Sequence, residues 1–122
     1  MFKLTLTDTP FELRLSEVAT TAIVEVIGEI DMATAPEVAE AIGSLHGGVH
    51  RRLVVNLSEV TFLDSSALNM LVRCQRDLAQ REVDLHVVSP RDRAVGRVFE
   101  ITRLSGPLNV VESIEEAVTP TS

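Results

Sequence analysis

Lysine is almost missing from this sequence: of eleven basic residues only Lys3 is not an arginine. That scarcity removes one class of signalling domain. A phospho-aspartate receiver needs an acidic pair after its first strand and a lysine after a late one, and Lys3 is far from any such position. Cysteine is nearly as rare. Cys74 stands alone, so an internal disulfide or a multi-thiolate zinc site is excluded, and a small core residue is the simplest reading. No segment approaches the ~20 apolar residues of a membrane span, and the first residues, MFKLTLTDTPFELRL, lack the apolar run of a secretory signal. A cytoplasmic protein in a reducing compartment is expected. There is no G-x-x-x-x-G-K-[ST] loop for an NTPase and no G-x-S-x-G elbow for a hydrolase. No assembled triad or metal set is visible either, so the sequence predicts neither enzyme, cofactor nor metal site.

What remains is ample for one core. The chain has 122 residues, 45% of them apolar, and a net charge of −7. An acidic surface repels phosphate backbones and anionic lipid, which argues against direct nucleic-acid or membrane binding. One domain is expected over 1–122, with its core at about 11–118 and frayed ends at 1–10 and 119–122.

Patterning along the chain predicts β-β-α-β-α-β-α-β-α. Phe11, Leu13 and Leu15 alternate with polar residues as in a strand with one wet face. Ala22 to Ile27 is apolar on both faces and reads as a more central strand, paired antiparallel with the first. Thr34 and Glu37 form a capping-box signature with Pro36 in the first turn, and Ala35, Val38, Ile42 and Leu45 then share a helical face that ends at Gly47-Gly48. Leu53 to Leu57 is a β-rich run buried on both sides apart from Asn56. Ser66 to Gln80 is the strongest helix: Ala67, Leu68, Leu71, Val72, Cys74, Leu78 and Ala79 fall on one face, and Asn69, Arg73, Arg76, Asp77 and Gln80 on the other. Val83, Leu85 and Val87 give a strand. Ser89 to Asp92 opens a third helix that closes near Gly106, Leu108 to Val111 is a short strand, and Ser113 with Glu116 is a second capping box. Strands alternating with helices require right-handed crossovers, hence an α/β domain with a mixed, mostly parallel sheet of four to five strands and about four helices.

In open sheets of this kind a site lies beyond the carboxyl ends of the strands. Asp31 with Thr34 follows one such end and Asp64 with Ser65 another, so the two clusters are expected to be neighbours. The stretch TFLDSSALNMLV (Thr61 to Val72) is over-provided with caps. Asp64, Ser65 or Ser66 could each satisfy a free amide at the helix start, yet one cap needs one residue. A surplus serine there would sit where amides and the helix dipole favour an anion.

GEID (Gly28 to Asp31), TAPEV (Thr34 to Val38) and LVVNLSEVTFLDSSALNMLV (Leu53 to Val72) together resemble the anti-sigma factor antagonists, phosphoswitches built on the STAS domain. The resemblance runs from about Phe11 to Val118. It implies that Ser65 is phosphorylated and that Ser66 is a supporting cap. It implies that the unmodified form binds an anti-sigma factor/serine kinase and frees a sigma factor, and that a PP2C-type phosphatase restores binding. Glu29, Asp31, Thr34, Asp64, Ser66, Asn69, Met70 and Arg73 are then the expected partner surface, Met70 being the apolar residue at its edge. A weak homodimer stays open. The chain departs from the family's DSSGLG at Ala67 and Asn69, and Asn56 stands in place of an aspartate. Ala67 favours the helix by about 1 kcal/mol over glycine. Asn69, one turn on, is placed to hydrogen-bond the Ser65 oxygen or to crowd a kinase. A rival within the same fold is an unphosphorylated STAS scaffold in a transporter or sensory complex, where the serine is only a cap.

Two further candidates have simpler readings. Glu29 and Asp31 could be paired acids on one side of a strand end, but no third ligand accompanies them; a solvated strand end is the alternative, and Asp31 could instead assist the cap at Thr34. His46 and His50 flank glycines and read as loop histidines.

Overall fold

The structure is a computed structural model that describes residues 11–45 and 49–119. Its elements run β1 (Phe11–Val18), β2 (Thr21–Ile30), α1 (Ala35–Ser44), β3 (Arg52–Leu63), α2 (Ser65–Gln80), β4 (Asp84–Val88), α3 (Ala94–Ile101), β5 (Val110–Val111) and α4 (Ile114–Val118). This is the expected order. The five strands lie in sequence order in one sheet, β1 antiparallel to β2 and the other neighbours parallel.

Side-chain alternation divides the central strands between two clusters. Ala22, Val24 and Val26 of β2 and Leu53, Val55 and Leu57 of β3 join the larger one, with Val38 and Ile42 of α1, Leu71 and Leu78 of α2 and Phe99 of α3. Ile23, Val54 and Val88 point into a smaller cluster with Ala117 of α4. Burial on both faces is why these strands read as unbroken apolar runs. Each fully buried leucine contributes about 1.5–3 kcal/mol relative to an exposed one, so Leu71 and Leu78 anchor the middle and the C-terminal end of α2. Arg52 fastens α4 from below: its guanidinium donates to the carbonyls of Ala117 (2.9 Å) and Thr119 (3.0 Å), a cation at the helix's negative end.

Several boundaries differ from expectation. β3 continues six residues past Leu57, to Leu63, and is paired with β4 only as far as Asn56. Its overhang keeps β2 as partner through Ile30↔Leu63, with register shifts that pass over Leu57-Ser58 and Thr61. Gly28, at φ 109, lies at one of those shifts, in a conformation that favours glycine. α3 begins at Ala94 rather than at Ser89, which is buried, and its N-cap Arg93 makes no side-chain cap. A Cβ on Gly96 would stand 2.0 Å from the Pro90 carbonyl oxygen, so this helix packs directly on the backbone of its own entry turn. It ends at Ile101, well short of Gly106, and β5 is only two residues long. α1 closes at Ser44; His46, Gly47 and Gly48 lie outside the described residues, as do 1–10 and 120–122. The second capping box forms in half: the Ser113 hydroxyl accepts the Glu116 amide at 3.3 Å, while the Glu116 carboxylate meets that hydroxyl rather than a backbone amide.

Candidate functional site

The overhang of β3 and the end of β2 bring the two polar clusters together. The Asp64 amide donates to the Ile30 carbonyl at 3.2 Å, one residue before Asp31. Each cluster solves its own helix start.

At α1 the expected capping box is absent. Thr34 occupies the N-cap in a helical conformation and makes no side-chain cap. Its hydroxyl instead turns back, donating to the Glu29 carbonyl and accepting the Asp31 amide, both at 2.9 Å. The Asp31 carboxylate takes over, accepting the amides of Ala33 (2.9 Å) and Thr34 (3.0 Å). The Thr34 amide above all, with that of Ala33, holds the Asp31 carboxyl below its ordinary value. Both residues are therefore committed to shaping the loop: the capping box is not made, and Asp31 assists the start of α1, as the alternative reading of that residue expects.

At α2 the surplus is resolved. Asp64 is the N-cap: its backbone is extended and its carboxylate accepts the Ala67 amide at 3.1 Å. Ser65 is the first helical residue and is exposed, and its hydroxyl has no hydrogen-bond partner among the described residues. Ser66 is half-buried and does not cap. Asn69 is exposed one turn below and makes no hydrogen bond to Ser65.

Met70 is a correction. It is buried, packed in the larger core cluster with its sulfur 3.8 Å from the Cys74 sulfur, so it is not an exposed edge residue. Ala79, expected in the core, is exposed. The helix is rotated slightly from the predicted face because small residues of α1 (Ala35, Ala39 and Gly43) face it. They leave a groove of about 570 Å³ that Met70 floors and Arg73 rims. Arg73 has no ion pair among the described residues. Ser66 and Met32 line the same groove, which places the loop after β2 beside the start of α2.

The remaining candidates lie elsewhere. Asn56 accepts the amide (3.0 Å) and hydroxyl (2.6 Å) of Ser58, tying down the bulged strand. His50 bridges the Leu45 carbonyl (2.7 Å) and Glu17 (2.9 Å), as a structural loop residue does. Among the described residues no group of three His, Cys, Asp or Glu side chains could hold a metal, and no helix is long and apolar enough to cross a membrane. Sequence reasoning missed Met32, 76% exposed, and Phe62, 48% exposed. The signal available was their position, one residue after Asp31 and two before Asp64.

A mixed five-stranded sheet in sequential order, with a helix starting at Asp-Ser-Ser beyond its third strand, defines a family. The STAS domain model matches residues 12–117, and this chain belongs to the STAS domain family. Its relatives there include anti-sigma factor antagonists. The anti-sigma-B factor antagonist of Staphylococcus aureus strain NCTC 8325 / PS 47 is 36% identical over 92 residues, covering 75% of this chain and 84% of that protein. The crystal structure of an anti-sigma factor antagonist from Mycobacterium paratuberculosis superposes with a TM-score of 0.79 at 28% identity, covering 89% of this chain and 92% of that one. The anti-sigma factor antagonist SpoIIAA in its unphosphorylated form shares the fold, with a TM-score of 0.64 at 20% identity over 88% of this chain and 92% of that one.

Proposed function

We propose that this protein is a cytoplasmic bacterial antagonist of an anti-sigma factor and that Ser65 is its switch. Unmodified, it binds an anti-sigma factor that is also a serine kinase and so releases a sigma factor. The kinase transfers the γ-phosphoryl of ATP to the Ser65 oxygen: an O–P bond forms, ADP leaves, and the hydroxyl proton passes to a base of the kinase. Binding is then lost until a PP2C-type phosphatase hydrolyses the ester.

The observation that carries this reading is the division of labour at α2. Asp64 satisfies the helix start, so the Ser65 hydroxyl is exposed and free to react. A phosphate at a helix N-terminus meets free amides and the positive end of the dipole, while the Asp64 carboxylate opposes its charge of about −1.5 to −2. The fold can accommodate the group, but a surface docked over it must desolvate a dianion, at a cost of several kcal/mol. Asp31 and Thr34 set the neighbouring loop, and Glu29, paired with Phe62, and Arg73, in the groove between α1 and α2, belong to the same proposed surface.

The test is affinity capture from the native cell with wild type, Ser65→Ala and Ser65→Glu, followed by mass spectrometry. Alanine should retain an anti-sigma factor and glutamate should lose it by tenfold or more. Capture of the same partner by both variants in equal amounts would return Ser65 to a purely structural role, as in the scaffold alternative.

A further inference from the structure

We infer that Met32 and Phe62 form an apolar collar around Ser65 and are the residues that seat the protein in an apolar cleft of the anti-sigma factor. This inference rests on the antagonist reading above and names the chemistry of its contact. Among the described residues, six large apolar side chains are conspicuously exposed: Leu15, Val18, Met32, Val49, Phe62 and Ile101. Singly exposed apolar residues are ordinary, so placement has to decide between them. Val18 pairs with Thr21, which pairs with Arg52, so Val18 and Val49 lie at the opposite end of the sheet from Ser65. Leu15 lies on the edge strand and Ile101 at the close of α3. Only Met32 and Phe62 remain at the Ser65 end.

Their distance to the serine is limited by the chain and by one hydrogen bond. Met32 is two residues past Ile30, whose carbonyl accepts the Asp64 amide, and Ser65 follows Asp64 directly. Phe62 is three residues before Ser65, within about 10 Å even for extended chain. The backbone under both is fixed, by the pairs Glu29↔Phe62 and Ile30↔Leu63 and by the Asp64 amide on the Ile30 carbonyl. Methionine and phenylalanine are among the side chains enriched in interface centres, and both are here held ready on rigid elements. Polar groups beside them are already occupied: the Asp31 carboxylate by two amides and the Thr34 hydroxyl by the Glu29 carbonyl. An apolar cleft closing over this collar buries the neutral Ser65 hydroxyl at far less cost than a phosphoserine dianion, which gives the switch its physical basis.

The measurement is titration calorimetry with the purified anti-sigma factor identified by the capture experiment. The proteins titrated are wild type, Met32→Ala, Phe62→Ala and, as a control on an equally exposed apolar residue, Ile101→Ala. Thermal denaturation confirms that each is folded. Met32→Ala and Phe62→Ala should each weaken binding at least tenfold, as truncation of interface anchors does, with Ile101→Ala within twofold of wild type. Any other pattern overturns the collar. If Ser65→Glu still abolishes binding while both alanine variants bind as wild type, the collar fails and the antagonist reading stands. If no anti-sigma factor is captured at all, the antagonist reading itself fails.

Discussion

The amide of Asp64 donates to the carbonyl of Ile30 at 3.2 Å, and this bond carries the pairing of β3 with β2 past Ile30↔Leu63 to the start of α2. Through it the loop shaped by Asp31 and the helix capped by Asp64 become parts of one surface, although 33 positions separate the two aspartates. The same aspartate uses its amide to join the strands and its carboxylate to begin α2, and Ser65 is left outside both tasks.

Asp64→Ala should therefore cost stability where Ser65→Ala does not. Loss of an N-cap is worth about 1 kcal/mol, or roughly 3–6 °C in Tm for a domain of this size. Ser65→Ala should fall within about 1 °C of wild type, because the serine oxygen satisfies no amide. Thermal denaturation followed by circular dichroism separates the two. Equal losses would mean that the serine shares the capping.

His86 should make the protein less stable as the solution is acidified. Burial and the nearby Arg52 guanidinium lower its pKa, with Asp84 acting in the other direction, and its Nδ1 is buried without a partner among the described residues. A histidine held neutral in the folded state protonates more readily in the unfolded chain. Its contribution is present above the unfolded value near 6.5 and is lost as pH falls from there towards the lower folded value. Urea denaturation between pH 8 and pH 5.5 should show a declining midpoint, and His86→Gln should flatten that decline.

The Cys74 thiol should be inert. Burial, helped by the Asp77 carboxylate, pushes its pKa up to about 11. At pH 8 such a thiol is roughly 0.1% thiolate, against about a quarter for a free cysteine, so labelling by a disulfide reagent should be slower by about two orders of magnitude. Labelling at the rate of a free thiol in native protein would contradict the packing between α1 and α2.

The element order and the mixed sheet were legible because burial on two faces writes continuous apolar runs for β2 and β3, and burial on one face writes a 3.6-residue period for α2. The juxtaposition of the Asp31 and Asp64 clusters followed from parallel strands alone. What failed has local causes. Thr34 and Glu37 fit the spacing of a capping box, but Asp31 takes the Thr34 amide and the Thr34 hydroxyl is engaged by the Glu29 carbonyl and the Asp31 amide. Ser89-Pro90 looks like a helix start, yet the chain needs a further turn to clear the end of β4 before α3 begins. Periodicity fixes a helical face only to within a residue or so, which is why Met70 reads from sequence as a surface residue. The alanines and glycine of α1, by leaving space opposite, draw that methionine inward. Met32 and Phe62 passed unnoticed because an exposed apolar residue in a loop or strand end has no periodic signature.

β3 runs seven residues beyond its contact with β4, from Leu57 to Leu63, and α2 springs from the tip of that cantilever. The mount is backbone hydrogen bonding to β2 rather than a hinge, so a chemical mark written at the tip has nothing to bend. Under the proposed reading, a phosphate on Ser65 is therefore legible only to a visitor that touches it: the message is a local change of texture, and the shape that delivers it stays the same.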